Sequence, residues 1–143
     1  MARLYAYVGP EEIRARSRGR PPGLVVRSRQ DLAGPSVVTF VVDAEGALRV
    51  ADRSSEHVAC AGGGPVRAAG ELFLEEDERG VYVAEASNQS TGYCPEPGCW
   101  VEVQRALDAL GIPHPGRFLA APFACTFNAV TSNNSTISNE PSG

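Results

Sequence analysis

The sequence predicts an α+β domain, a mainly antiparallel β-sheet with one amphipathic helix packed on it. Three observations predict it. The run Val37 to Val42, VVTFVV, is the most hydrophobic in the chain and reads as a central strand buried on both faces. Glu71 to Glu75 and Val81 to Glu85 alternate in polarity around Glu76–Gly80, the pattern of a hairpin. Residues 99–110, CWVEVQRALDAL, repeat Trp100, Val103, Leu107 and Leu110 at helical spacing.

In chain order, residues 2–8, ARLYAYV, combine aromatic and β-branched side chains and read as a first strand, stopped by Gly9-Pro10. Pro10-Glu11-Glu12-Ile13 can open a short helix, with proline in the first turn and carboxylates at its positive end. Ser28 and Asp31 have the spacing of an acidic capping box. Asp43 to Gly46 makes a tight turn, and Ala47 to Ala51 returns beside the central strand. His57 to Cys60 reads as a further strand, followed by the flexible turn Gly62-Gly63-Gly64-Pro65. Gly111 and Pro113 end the helix. The expected core is Leu4, Val38, Phe40, Val42, Leu48, Val50, Leu72, Leu74, Val81, Val83, Trp100, Val103, Leu107 and Leu110, in a sheet of about six strands.

One domain over residues 1–118 accounts for these elements, since 143 residues suffice for a single core. Residues 119–143 read as a disordered or weakly ordered Ser/Asn-rich tail, too poor in apolar surface to offset the entropy of ordering. No apolar run approaches the ~20 residues of a membrane helix. The first residues lack a signal-peptide pattern, so the expected location is the bacterial cytoplasm, where cysteines stay reduced.

All 13 basic residues are arginine, and seven fall within the first 29 residues. The net charge is nevertheless −4, without the basic footprint of a nucleic-acid binder. Arg14, Arg16, Arg18 and Arg20 therefore read as a solvated loop, with a phosphate-binding patch as the alternative.

The chemistry-bearing residues concentrate between Glu56 and Cys99. His57-x-x-Cys60 and Cys94-x4-Cys99 supply four ligand types that a structural zinc accepts, at looser spacing than a zinc knuckle. Cys60 is equally a small core residue, and a Cys94–Cys99 disulfide is a further alternative. Cys94 or Cys99 near a helix start could serve as a nucleophile, with His57 or His114 as base. The cluster Asn88 to Tyr93 follows a strand, where loops carry binding groups on a rigid frame. The same residue types also build turns that satisfy their own backbone. Phosphate-loop, G-x-S-x-G and H-E-x-x-H motifs are missing.

His57, Pro65-Val66, Ala69-Gly70-Glu71 and then Ser90-x-Gly92-Tyr93-x-Pro95 resemble a bacterial β-module with a "PVxxAGE" strand and an "SGHYxP" turn, found in some proteins near polymorphic toxins. Here the turn lacks its histidine. Met1 to Phe118 as a whole resembles an uncharacterised bacterial family, through Ser87–Pro97 (SNQSTGYCPEP), the helix that follows and Gly111–Gly116 (GIPHPG). In that family a zinc ribbon of two Cys-x-x-Cys pairs follows. This chain departs from it after Phe118, with Cys125 alone.

The function expected from these residues is a cytoplasmic binding or interaction module with a protein partner and no catalysis or cofactor of its own. His57, Glu71, Asn88, Ser90 and Tyr93 are its candidate contacts. The alternatives are a small enzyme using a His57/Glu71/Ser90/Tyr93 face, and a domain stabilised by zinc on His57, Cys60, Cys94 and Cys99. Neither nucleic acid nor membrane is an expected partner.

Overall fold

The computed structural model describes residues 2–120. Its centre is strand β2 (Ser36–Asp43), where Phe40, Val41 and Val42 are all at most 1% exposed. Consecutive strand residues point to opposite faces, so burial of three in a row means that both faces are covered. Each such side chain contributes about 1.5–3 kcal/mol by leaving water.

Around this centre the chain runs helix α1 (Glu11–Ser17), strand β1 (Leu24–Val25), β2, β3 (Leu48–Asp52), helix α2 (His57–Cys60), β4 (Val66–Asp77), β5 (Gly80–Ser87), helix α3 (Trp100–Ala109) and β6 (Arg117–Leu119). Single 3-10 turns lie at Arg29–Asp31 and Pro97–Cys99. The six strands form one sheet in the order β1-β3-β2-β4-β5-β6. Every pairing is antiparallel except β5 with β6, which is parallel. The α+β class and the β4–β5 hairpin stand as predicted, as does the helix, one residue shorter at each end.

Turn chemistry explains the registers. Asp43 accepts the backbone N–H groups of Glu45 and Ala47, and Gly46 takes φ +89°, so β2 turns tightly into β3. Two bulges interrupt the ladders. Val42 faces Ala68 while Asp43 faces Val66, which leaves Arg67 as the extra residue of β4. Phe73 faces Glu85 while Leu74 faces Val83, which leaves Ala84 as the extra residue of β5.

Four expectations need correction. Residues 2–8 form no strand. Tyr5 makes one bridge to Val66 and Val8 donates to the Gly92 carbonyl at 2.7 Å, so the segment ties together two separate places and no ladder propagates. Leu4 is accordingly 50% exposed, and Tyr5 takes the core position beside it. His57–Cys60 is one helical turn, with Cys60 and Ala61 donating to the Glu56 and His57 carbonyls. A buried run as short as Val58–Cys60 has no period by which to tell helix from strand. Arg14 and Arg16 lie on α1 and Arg18 caps it, so of the arginine run only Arg20 lies in a loop, while Arg16, Arg18 and Arg20 are exposed as expected.

Val38, Trp100 and Leu110 pack against the core without being fully buried, and the other expected core residues apart from Leu4 are buried. Among the described residues no helix is long and apolar enough to cross a membrane. The expected tail beyond residue 120, with Cys125, lies outside the described residues.

Candidate functional site

Part of the 88–95 turn folds inward, while Gln89 and Thr91 stay exposed. Asn88, Ser90 and Tyr93 are at most 2% exposed. Asn88 Nδ2 donates to the Pro95 carbonyl at 2.9 Å, and Ser90 Oγ accepts the Tyr93 backbone N–H at 3.3 Å. The Tyr93 hydroxyl donates to the Gly64 carbonyl at 2.7 Å. Burial pushes that phenol up to about 12, so it stays a proton donor throughout the neutral range. Buried polar groups need such partners, and these side chains find theirs largely on the backbone.

His57 behaves in the same way. Its Nε2 lies 2.8 Å from the Gly70 carbonyl oxygen, which can only accept, so Nε2 carries the proton. Glu71, opposite Thr39 of β2, pairs with Arg53 at 3.6 Å. Within the set His57, Glu71, Ser90 and Tyr93, the direct contact is the one between Ser90 Oγ and the Tyr93 backbone.

Burial pushes the His57 ring below its ordinary value of 6.5, against the Gly70 carbonyl and the Glu71 and Glu56 carboxylates, which pull it upward. Below about pH 6.5 the unfolded chain therefore binds more protons than the folded one. Stability due to His57 is full above that pH and declines as pH falls through the window beneath it. His57→Gln is expected to flatten the change in denaturant midpoint between pH 7 and pH 5.5. An unchanged slope would assign the acid sensitivity to other groups.

The cysteines do not converge. Among the described residues no group of three or more His, Cys, Asp or Glu side chains could hold a metal, so His57, Cys60, Cys94 and Cys99 form no such site. Cys94 and Cys99 are separate thiols, not a disulfide. Burial pushes both Cys60 and Cys99 up to about 11, the opposite of what a nucleophilic thiolate needs. His114 is held by Asp108 at 2.7 Å. Alkylation at pH 8 is expected to spare Cys60 and Cys99 in the folded protein and to label them after unfolding. Peptide mapping by mass spectrometry reads this out, and labelling of either residue under native conditions would contradict their burial.

What the inward-facing residues hold in place is an open cleft of about 470 Å³ between α1 and the turn after α2. Arg14, Ser17, Arg18 and Arg20 form one side, and Gly62 and Gly63 the other, with Pro22 between them. Both glycines have positive φ, +69° and +88°, a conformation that other residues adopt only with strain. Gly62 and Gly63 donate to the Ala59 and Val58 carbonyls, and Gly23 donates to the Cys60 carbonyl, so the glycine wall is fixed to α2. Tyr93 fixes the far end of that wall through Gly64. The Tyr93 ring also meets Tyr7 edge-on at 5.8 Å, and the Arg14 guanidinium stands 5.9 Å from the Tyr7 ring. One chain of contacts thus runs from the 88–95 turn to both walls of the cleft.

No carboxylate is among the cleft's lining residues. Arg18 pairs at its outer side with Glu11 at 3.0 Å. Among the described residues Arg14 and Arg20 form no ion pair. A smaller cavity of about 150 Å³ adjoins and shares Ser17 and Arg20, with Glu56 on its wall. The arrangement concentrates positive charge on a chain whose net charge is −4, at a preformed opening.

The sequence reads these arginines as solvated, with a phosphate-binding patch as the alternative. The signal that could have found them is local. A helix starting at Pro10-Glu11 places Arg14 and Arg18 four residues apart, on one face. No local signal brings the glycine turn, more than forty residues later, opposite that face. No family model, no curated protein and no solved structure matches the chain.

Proposed function

We propose that the chain is a binding module without catalysis of its own, and that its contact surface is the cleft between α1 and the Gly62–Gly64 turn. One observation carries this reading: three arginines converge with a side-chain-free glycine turn on a single opening that no carboxylate lines. An opening of this size falls in the range of small-molecule sites, ~300–1,000 Å³. Its walls are tied by backbone hydrogen bonds before any ligand arrives, so the ordering cost of binding falls on the arginine side chains and not on the backbone. The ligand is therefore a small anion, in place of the protein partner expected from sequence. His57, Asn88, Ser90 and Tyr93 support the walls and do not touch the ligand. A bacterial, cytoplasmic setting and kinship with the family that the SNQSTGYCPEP and GIPHPG segments resemble are part of the same proposal.

Amide chemical-shift mapping tests it. A panel of small carboxylates, sulfates and phosphates, added singly to 15N-labelled protein, is expected to move amides within residues 13–20 and 60–64. Shifts centred on 88–95 or on α3, or none with any member, would overturn the assignment.

A further inference from the structure

We infer that the ligand of this cleft is a small phosphomonoester, a class that follows from the way the three arginines are already committed. This inference rests on the cleft being the binding surface. Arg18 is already paired with the Glu11 carboxylate at 3.0 Å. Arg14 and Arg20 also line the opening and have no ion pair among the described residues, Arg14 with its guanidinium 5.9 Å from the Tyr7 ring. Two guanidinium forks around one space match a group with two charges and three terminal oxygens. At neutral pH a phosphomonoester carries about −1.5 to −2 charge and presents three acceptor oxygens. A sulfate ester has the same shape with one charge, and a carboxylate has one charge and two oxygens.

The other wall favours the same group. Gly62 and Gly63 have no side chains to hold a tetrahedral group away from the turn, and a β-carbon added at Gly63 would meet nothing within 4 Å. Ser17 Oγ donates to the Arg14 carbonyl at 2.8 Å, so it fixes the end of α1 and leaves recognition to the arginines. Pro22, between the two walls, offers an apolar surface for the organic part of an ester.

Isothermal titration calorimetry of the whole chain with phenyl phosphate, phenyl sulfate, benzoate and a hexaglutamate peptide separates the classes. Phenyl phosphate is expected to bind at least about tenfold more tightly than any other probe. Arg14→Gln and Arg20→Gln are each expected to weaken it about tenfold or more, the loss of one charge-assisted hydrogen-bonding fork. Arg79→Gln, on the β4–β5 turn, removes the same charge elsewhere and should leave the affinity unchanged. Melting temperatures check that the variants fold, and the exposed site of Arg20 makes its variant the safer of the two. If benzoate, phenyl sulfate or the peptide binds as tightly and with the same arginine dependence, the phosphomonoester inference fails while the cleft remains a binding surface. If phenyl phosphate binds without dependence on Arg14 and Arg20, the inference fails as well. If no probe binds and no amide in 13–20 or 60–64 moves, both readings fail together.

Discussion

Gly70→Ala is expected to destabilise the chain by about 3 kcal/mol, at the top of the range for overpacking. That corresponds to a melting temperature lower by roughly 6–12 °C for a domain of this size. The cause is backbone, not side chain. A β-carbon at Gly70 would lie 1.8 Å from the Ser87 carbonyl oxygen and 3.0 Å from the Asn88 α-carbon. No rotamer change relieves a contact between a β-carbon and a neighbouring strand. The Gly70 carbonyl also receives the His57 Nε2 proton at 2.8 Å, so a shift of β4 disturbs α2, the element that leads into the glycine wall. Gly98→Ala is the control: its added carbon meets nothing within 4 Å, and the effect should stay within about 0.5 kcal/mol. If the two variants melt together, the close approach of β4 to the end of β5 is not present in solution.

The second large effect is expected at Glu102. This side chain of α3 is 9% exposed and bonds Arg105 at 2.9 Å, with Arg67 at 3.5 Å. Arg67 is the bulge residue of β4, and its Nε also donates to the Ala44 carbonyl at 3.1 Å. The carboxylate thus joins the helix to the strand irregularity. Glu102→Ala leaves the partly buried Arg67 charge without its counterion, and should cost about 2–3 kcal/mol. That is less than the ~3–5 kcal/mol of a fully buried pair, because Arg67 retains 29% exposure and water offsets part of the loss. Arg105→Ala should cost only a few tenths of a kcal/mol, since that side chain is 69% exposed. Urea titrations of the two variants check this. Equal losses would mean that Arg67 contributes nothing and that the pair is a surface contact.

What was legible in the sequence depended on period. VVTFVV, the Glu71–Glu85 hairpin and the Trp100/Val103/Leu107/Leu110 stripe each repeat long enough for one geometry to win, and each forms as read. Residues 2–8 carry the right residue types, but their hydrogen bonds go to Val66 and Gly92, sixty and more residues away. Glu102 sits between Val101 and Val103 on the helix, and its pairing with Arg67 across from it accounts for its burial.

The candidate site was legible in composition and not in direction. Asn88, Ser90 and Tyr93 carry groups that bind ligands, and the same groups satisfy buried backbone, which is how this fold uses them. Residue type does not encode which way a side chain faces. The arginines showed the opposite problem. They were visible as a charge run, and their meaning comes from Pro22 and the glycine turn, which only tertiary structure places beside them.

Arginine supplies every basic side chain of the chain, which makes one spectrum especially informative. The Nε–Hε correlations of 15N-labelled arginines, recorded with and without phenyl phosphate, report directly on each guanidinium. The cleft reading predicts that the Arg14 and Arg20 signals move downfield together and saturate at one stoichiometric equivalent. Arg67 and Arg105, engaged with Glu102, should stay in place. Movement of the Arg67 or Arg105 signals instead, or a spectrum unchanged at saturating phosphate ester, would contradict the account.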